Sequence, residues 1–205
     1  MATVELPKLV QHAMKQKEYQ DLFIVRIREI KRCLEQESYI AALSLTLTLP
    51  DMCGKAKYPA DGVGKRYIKW YDEYIGQYEK PSTPYGADMP YLSGEVVYSL
   101  RCSLLHAGNP DVDKDQVKDV TCKTNRFVLR LGKRYSGDTS CVSYGANWQV
   151  KEREYTLDVV SFCNKVTRIA KEFSKTTSNN LTSSHTKLII KWTGRRYENR
   201  GRKVS

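Results

Sequence analysis

The sequence predicts a mainly α-helical domain with a β-hairpin inserted before its last helix. Apolar residues recur every three or four positions through most of the chain, and the stripe in residues 154–174 keeps this helical spacing without a break. Residues 120–131 differ, because they alternate and are rich in β-branched residues, as strands are, and residues 140–150 could be the return strand. A chain of 205 residues has room for one domain with an appendage.

The limits of the domain follow from where the apolar periodicity begins and ends. Residues 1–18 have little to bury and are expected to form an N-terminal arm or a short helix. Residues 19–175 form the predicted helical domain, with the hairpin insertion at about 118–150, and residues 176–205 form a basic C-terminal segment. Within this segment, residues 186–192 could add an edge strand to the hairpin.

Four helices are predicted before the insertion. Residues 20–36 carry apolar side chains at helical spacing. Residues 39–49 contain no charge, which favours a helix in the middle of a bundle, although the alternation at 45–49 also fits a strand. Residues 50–54 begin with proline and are expected to interrupt or kink that helix. The third helix is predicted at 65–77 and the fourth at 92–106, which ends at the stop signal Gly-Asn-Pro.

The insertion is predicted to be an antiparallel hairpin. Residues 120–131 and 140–150 are its two strands, and the turn-like residues 132–138 connect them. The last helix is then expected to begin at about residue 154.

The charge of the chain indicates an anionic partner. The formal net charge is +11, which makes RNA or DNA the first candidate, although a basic protein without such a partner is the alternative. The C-terminal segment concentrates this charge and interleaves it with Trp192 and Tyr197, which could stack on bases. From residue 187 onward, seven basic residues face one acidic residue, a net +6: Lys187, Lys191, Arg195, Arg196, Arg200, Arg202 and Lys203 against Glu198. A solvated tail is the alternative.

The cysteines and the N-terminus indicate a cytoplasmic protein without metal or cofactor. The six cysteines show no CxxC pair and no zinc-ligand spacing, and only three histidines are present. The N-terminus is mixed and charged, so no signal core and no membrane segment are expected. No phosphate-binding glycine loop of the required spacing occurs either.

Arg101 and His106 are the candidate catalytic residues. Both lie near the end of the fourth predicted helix, in the stretch YSLRCSLLHAGNP. Arginine is a permanent planar cation that suits phosphate, and histidine exchanges a proton near neutral pH. Together they suffice to cleave a phosphodiester without a metal.

The position of Arg101 on its helix requires an anionic partner. It lies about 40° from the apolar residues Val97 and Leu105 on a helical wheel. A cation among apolar neighbours needs an anion, which either a ligand or the protein can provide. Asp51 and Lys55, after the second helix, are candidate residues of the same site, and an Asp51–Arg101 pair would indicate a structural ion pair. His106 lies about 140° from Arg101, so the two converge only if the helix ends there or if two copies meet across an axis.

An Arg-x4-His motif at the end of a bundle helix, followed by a loop of small residues, resembles the HEPN superfamily. The stretches PDMCGK and YSLRCSLLHAGN are also similar to a group of bacterial HEPN-like proteins. The resemblance covers about residues 20–110, with the helix at 154–174. It implies a helical bundle, commonly dimeric, of a superfamily with many metal-independent ribonucleases.

The resemblance also implies roles for the two residues. His106 would be the general base or acid and Arg101 would bind the scissile phosphate of RNA, in a homodimer, with an antitoxin or another protein as a possible partner. Separately from the resemblance, the clustered charge of the C-terminal segment makes Arg195, Arg196 and Arg200 the candidates for holding the RNA. One position departs from the family: catalytic members often carry a polar residue after the arginine, whereas this chain has Cys102. A catalytically inactive module that binds RNA, a nucleotide or a protein is therefore the alternative, with His106 settled on the helix-terminal carbonyls.

Overall fold

The computed structural model describes residues 8–81, 88–108, 117–118, 124–132 and 137–179, with side chains from residue 22 to residue 176 within these ranges. Seven α-helices, two π-helical turns and three strands form this part of the chain. The helices are α1 (Lys8–Glu35), α2 (Tyr39–Thr46), α3 (Leu49–Lys57), α4 (Val63–Tyr71), α5 (Gln77–Glu79), α6 (Gly94–Cys102) and α7 (Val159–Asn179). The π turns are π1 (Asp72–Gly76) and π2 (Ser103–Ala107), and the strands are β1 (Arg126–Arg130), β2 (Thr139–Tyr144) and β3 (Val150–Asp158).

The domain is mainly helical, as the apolar periodicity predicts. Helix α7 packs against α1, α2 and α3, and its apolar stripe meets the stripes of those helices in one core. The largest fully buried side chains are aromatic or branched, among them Trp70, Tyr67, Tyr71, Phe162 and Leu43. Burial of such side chains is the main stabilising contribution in a domain of this size. No helix in the described part of the chain combines the length and the apolar character needed to cross a membrane.

The first helices differ from their predicted limits in two ways. Helix α1 begins at Lys8, so part of the predicted arm is already helical. The break after α2 precedes Pro50 instead of following it, because proline is tolerated in the first turn of a helix, where its missing N–H has no partner to lose. Residues 51–54, expected at the interruption, are therefore helical. Helix α2 is buried at Ala42 and Leu43 but leaves Ile40 43% exposed, so it is not covered on every side.

The prediction that the first two strands pair with each other as a hairpin is wrong. Strand β1 pairs in parallel with β3, while β2 pairs antiparallel with β3, which gives the order β1-β3-β2. The hairpin is therefore β2–β3, and β3 runs through residues that were expected to begin the last helix. Asp158 sets the boundary: its Oδ1 accepts the backbone N–H of Ser161 at 2.9 Å, which is an N-cap contact, so α7 begins at Val159.

The helix that carries the candidate site ends as predicted. Helix α6 begins at Gly94 and continues through π2 to Ala107, and Gly108 follows with a φ of 66°. Glycine favours this left-handed conformation because it has no Cβ, and it commonly terminates helices. The predicted edge strand at 186–192 lies outside the described residues.

Candidate functional site

Helix α6 is held at its N-terminal end by two side chains. The hydroxyl of Ser93 accepts the N–H of Val96 at 3.3 Å, and Oδ1 of Asp72 accepts the N–H of Gly94 at 2.6 Å. These acceptors satisfy N–H groups that have no partner within the helix. The buried side chains of Val97 and Leu100 attach the same helix to the core. Helix α6 is therefore a rigid support for residues at its other end.

Arg101 lies near the C-terminal end of α6 and has no anionic partner within the described residues. Its Nη1 donates to Sγ of Cys102 at 3.9 Å, and its Cζ lies 5.9 Å from the centre of the Tyr98 ring. Nε is buried and has no hydrogen-bond partner in the part of the chain that the structure describes. Within the described ranges, no carboxylate lies within ion-pairing distance of the guanidinium. A half-buried cation with an unsatisfied N–H is a place where an anion would be stabilised.

Asp51 pairs with a different arginine. Its Oδ1 accepts Nε of Arg66 at 2.8 Å, which joins α3 to α4. The Asp51–Arg101 pair that would mark a structural ion pair is thus not formed. Lys55 lies one turn after Asp51 on α3 with its side chain exposed.

His106 lies in π2 with its side chain exposed. The backbone N–H of Gly108 bonds to the carbonyl oxygen of Ser103, five residues earlier, instead of four as in an α-helix. Because the hydrogen bond spans five residues in such a turn, each residue rotates less about the helix axis than in an α-helix. Two residues five apart are therefore separated by a smaller angle about that axis. The π turn therefore reduces the angle between Arg101 and His106 that a regular helix would impose. Such turns occur often at functional sites.

Two tyrosines form the apolar support beneath Arg101. The ring of Tyr98 meets the ring of Tyr67 edge to face at 5.2 Å, and the hydroxyl of Tyr67 donates to the carbonyl oxygen of Leu47 at 3.0 Å. Burial raises the pKa of the Tyr67 phenol well above its ordinary value, and the charge of Arg101 opposes this. Burial also raises the pKa of Tyr98, to which Cys102 adds. Both phenols therefore stay neutral and cannot neutralise the guanidinium.

Sequence reasoning missed Tyr98 and Arg66. Tyr98 lies three residues before Arg101 on the same helix, a spacing that brings two side chains together, so it could have been identified. Arg66 could not, because its contact with Asp51 depends on how α3 and α4 pack.

A cavity lies at the other end of α6. Its volume is about 570 Å³, and its lining includes Asp72, Glu95, Lys80, Lys118 and Gln77. Burial raises the pKa of Asp72, the N–H of Gly94 lowers it, and the charge of Glu95 raises it. Because Asp72 already accepts a bond from α6, its role here is to fix that helix.

The structure gives no positions for the three remaining predicted site residues. Arg195, Arg196 and Arg200 lie outside the described residues. In the ranges that the structure describes, no group of three or more histidine, cysteine or acidic side chains could hold a metal ion.

The described fold and site define a mainly α domain with a small mixed sheet and an arginine that no described carboxylate neutralises, five residues before an exposed histidine. Comparison with protein-family models, with curated proteins and with solved structures finds no match for the chain. The function is therefore argued from the site.

Proposed function

We propose that this protein is a metal-independent endoribonuclease of HEPN type. The observation that carries the proposal is the guanidinium of Arg101, which has a buried, unpartnered Nε and no carboxylate among the described residues. It lies five residues before a solvent-exposed histidine on a π turn. The Arg-x4-His resemblance and the net charge of +11 support RNA as the substrate.

The chemistry needs two proton transfers and one site for negative charge. His106 takes the proton of the ribose 2′-hydroxyl, and the 2′-oxygen attacks phosphorus. The bond from phosphorus to the 5′-oxygen breaks, and that oxygen leaves with a proton from an imidazolium, which His106 of a second copy supplies in the proposed dimer. Arg101 binds the non-bridging oxygens as charge builds on them. The products are a 2′,3′-cyclic phosphate and a free 5′-hydroxyl.

The test is incubation of the purified chain with a mixed RNA pool in EDTA. We expect cleavage with 2′,3′-cyclic phosphate ends. His106→Ala should lower the rate about 10²–10⁴-fold, the usual contribution of a general acid or base. Arg101→Met should lower it about 10²–10³-fold, as for the loss of one donor to a developing oxyanion.

His12→Ala is the matched control, because the sequence assigns no role to His12. It should cleave at the wild-type rate. Equal loss in His12→Ala and His106→Ala, or activity that requires added metal, would overturn the proposal.

A catalytically inactive binding module is the second candidate. One observation favours it: the side chain of His106 is exposed to solvent, whereas a general base usually has a hydrogen-bond partner that orients its ring. This candidate predicts salt-dependent binding of RNA, of a nucleotide or of a protein such as an antitoxin, without cleavage. Binding would survive His106→Ala and weaken in Arg101→Met.

A further inference from the structure

A tryptophan lies with its side chain in solvent at the tip of the β2–β3 hairpin. Trp148 is 84% exposed, the highest value among the large apolar side chains that the structure describes. The hairpin tip, residues 145–149, is a closed turn. The N–H of Gly145 donates to the carbonyl oxygen of Gln149 at 2.9 Å, and the N–H of Trp148 donates to the carbonyl oxygen of Gly145 at 3.0 Å. The indole is therefore attached to a backbone that hydrogen bonds fix in place.

The backbone conformation of Trp148 is unusual for so large a side chain. Its φ is 59°, in the left-handed region that glycine and asparagine tolerate and that bulky residues rarely adopt. Such outliers occur often at ligand contacts and active sites, where a particular side chain is needed in spite of the strain. Packing in the core does not account for a tryptophan at this position, because most of its side chain is in solvent.

Tyr144 places a second ring beside the indole. The two ring centres are 6.3 Å apart, and the ring planes are tilted by 50°. The hydroxyl of Tyr144 donates to Oδ2 of Asp88 at 3.3 Å, and Nη2 of Arg153 donates to Oδ1 of the same carboxylate at 3.4 Å. The tyrosine ring is therefore held at its hydroxyl end, and an arginine opposes the charge of the carboxylate that holds it.

We propose that Trp148 and Tyr144 stack on the bases of single-stranded RNA, so that the hairpin tip binds the substrate of the proposed ribonuclease. Exposed aromatic rings are a usual platform for unpaired bases, since every base has a flat π-face. The inference adds an RNA contact to those expected of Arg101, His106 and the basic C-terminal segment. It deepens the proposed function and rests on it for the choice of RNA.

Charge and composition favour RNA as the occupant of the hairpin tip. The net charge of +11 attracts a polyanion to the chain as a whole. Beside the tip the charges balance, two acidic side chains against two basic ones: Asp88 and Glu152, Lys151 and Arg153. Stacking is therefore what the tip adds to the attraction that the overall charge provides. A membrane surface fits less well, because Trp148 is the only large apolar residue of the tip and segments that lie on membranes bury several.

Tryptophan fluorescence measures stacking at Trp148 directly. The other two tryptophans are Trp70, which is buried, and Trp192, which the variant Trp192→Phe removes. The probe is a short single strand of 2′-O-methyladenosine. It has bases and phosphates but no 2′-hydroxyl, so the proposed chemistry cannot cleave it. In the Trp192→Phe chain, this strand should quench the emission of the exposed indole, whereas inorganic polyphosphate, which has no bases, should not.

Substitutions at the tip measure the contribution of the ring to affinity. Trp148→Ala should raise the Kd for the strand about 5–150-fold, the effect of losing one stacked base. Trp148→Phe should keep most of the affinity, because it retains an aromatic ring. Tyr78→Ala is the matched control: Tyr78 is 79% exposed but belongs to α5 instead of the hairpin, so its loss should leave the Kd unchanged. Circular dichroism would check that each variant is folded, and the quenching test needs no change at Trp148.

Two results would overturn the stacking site: no quenching by the strand, or equal Kd values for the folded Trp148→Ala chain and the wild-type chain. Quenching by vesicles of anionic phospholipid, but not by the strand, would overturn it in favour of a membrane contact. The ribonuclease proposal is judged separately, because the strand cannot be cleaved. Quenching without cleavage of ordinary RNA would refute the ribonuclease alone, and cleavage by Trp148→Ala at the wild-type KM would refute the stacking site alone.

Discussion

Gly94 lies where the first turn of α6 crosses α4, and a methyl group there has no room. A Cβ at Gly94 would lie 2.7 Å from the carbonyl oxygen of Ile68, 3.0 Å from Cα of Ile68 and 2.9 Å from Oδ2 of Asp72. Two of these three atoms are backbone atoms, so no side-chain rotation relieves the overlap. Gly94→Ala must therefore displace α6 from α4.

The magnitude follows from two opposing effects. Overpacking of a well-packed contact costs about 1–3 kcal/mol, and backbone overlap puts Gly94→Ala near the upper end. The lower backbone entropy of alanine in the unfolded chain returns about 0.4–1 kcal/mol. We expect a net loss of about 2 kcal/mol in the free energy of unfolding. For a chain of this size, this lowers the Tm by about 4–8 °C.

Urea unfolding and thermal unfolding, both followed by circular dichroism, would measure the loss. Gly62→Ala is the matched control, because Gly62 also lies at a helix N-terminus, has a φ of −63°, and would place its Cβ with nothing within 4 Å. Gly62→Ala should stay within about 1 kcal/mol of the wild-type chain. Equal stabilities for Gly94→Ala and the wild-type chain would refute the close approach of α6 and α4.

Three further predictions concern the supports of the site. Leu100 is fully buried, so Leu100→Ala should cost about 3 kcal/mol in urea unfolding, and a cost below about 1 kcal/mol would contradict its place in the core. A double-mutant cycle with Asp51→Ala and Arg66→Ala should give a coupling energy of about 1 kcal/mol, and no coupling would contradict the ion pair. Because burial raises the pKa of Asp72 above its ordinary value of 3.8, the folded state holds this proton more tightly than the unfolded state does. The wild-type chain should therefore lose stability relative to Asp72→Asn as the pH rises from below 3.8 through the raised pKa. A pH-independent difference between the two chains would show that Asp72 is not shifted.

The helical part of the fold could be predicted from the sequence because the spacing of apolar residues along a helix shows which side of that helix is buried. Phe23, Ile27 and Ile30 are at helical spacing and all three are buried, and the stripe of α7 is buried in the same way. Helix ends were predictable only where a residue dictates them locally, as at Gly108. The cap at Asp158 was missed because strand and helix patterns overlap at that point.

Strand pairing could not be predicted, because neighbouring strands along the chain are the default partners and β1 departs from this default. Its partner is β3, and the reason lies in tertiary packing: Phe127 stacks on Tyr155 at 5.9 Å between ring centres. A single sequence does not record which of two later strands provides such a contact.

The sequence proposes the residues of the candidate site, whose roles stay a prediction, but it does not give their geometry. Arg101 and His106 were chosen by chemical type and spacing. The sequence alone does not show whether a carboxylate lies beside Arg101, because that depends on the position of α3; among the described residues, none does. Whether Asp51 pairs with Arg66 or with Arg101 depends on how helices α3 and α4 cross. The π turn at His106 is a local backbone conformation that no motif in the sequence predicts.

The parallel pairing of β1 has a consequence for the order in which the sheet forms. The hairpin β2–β3 closes over a short connection, whereas β1 must find β3 across the whole of the intervening chain, with Arg126 opposite Glu154. Closing the longer loop costs more entropy, so local hairpins form earlier during folding than distant parallel pairs do. Strand β1 is therefore the last strand to join the sheet and the first to detach from it, and its amide hydrogens should exchange with solvent faster than those of β3.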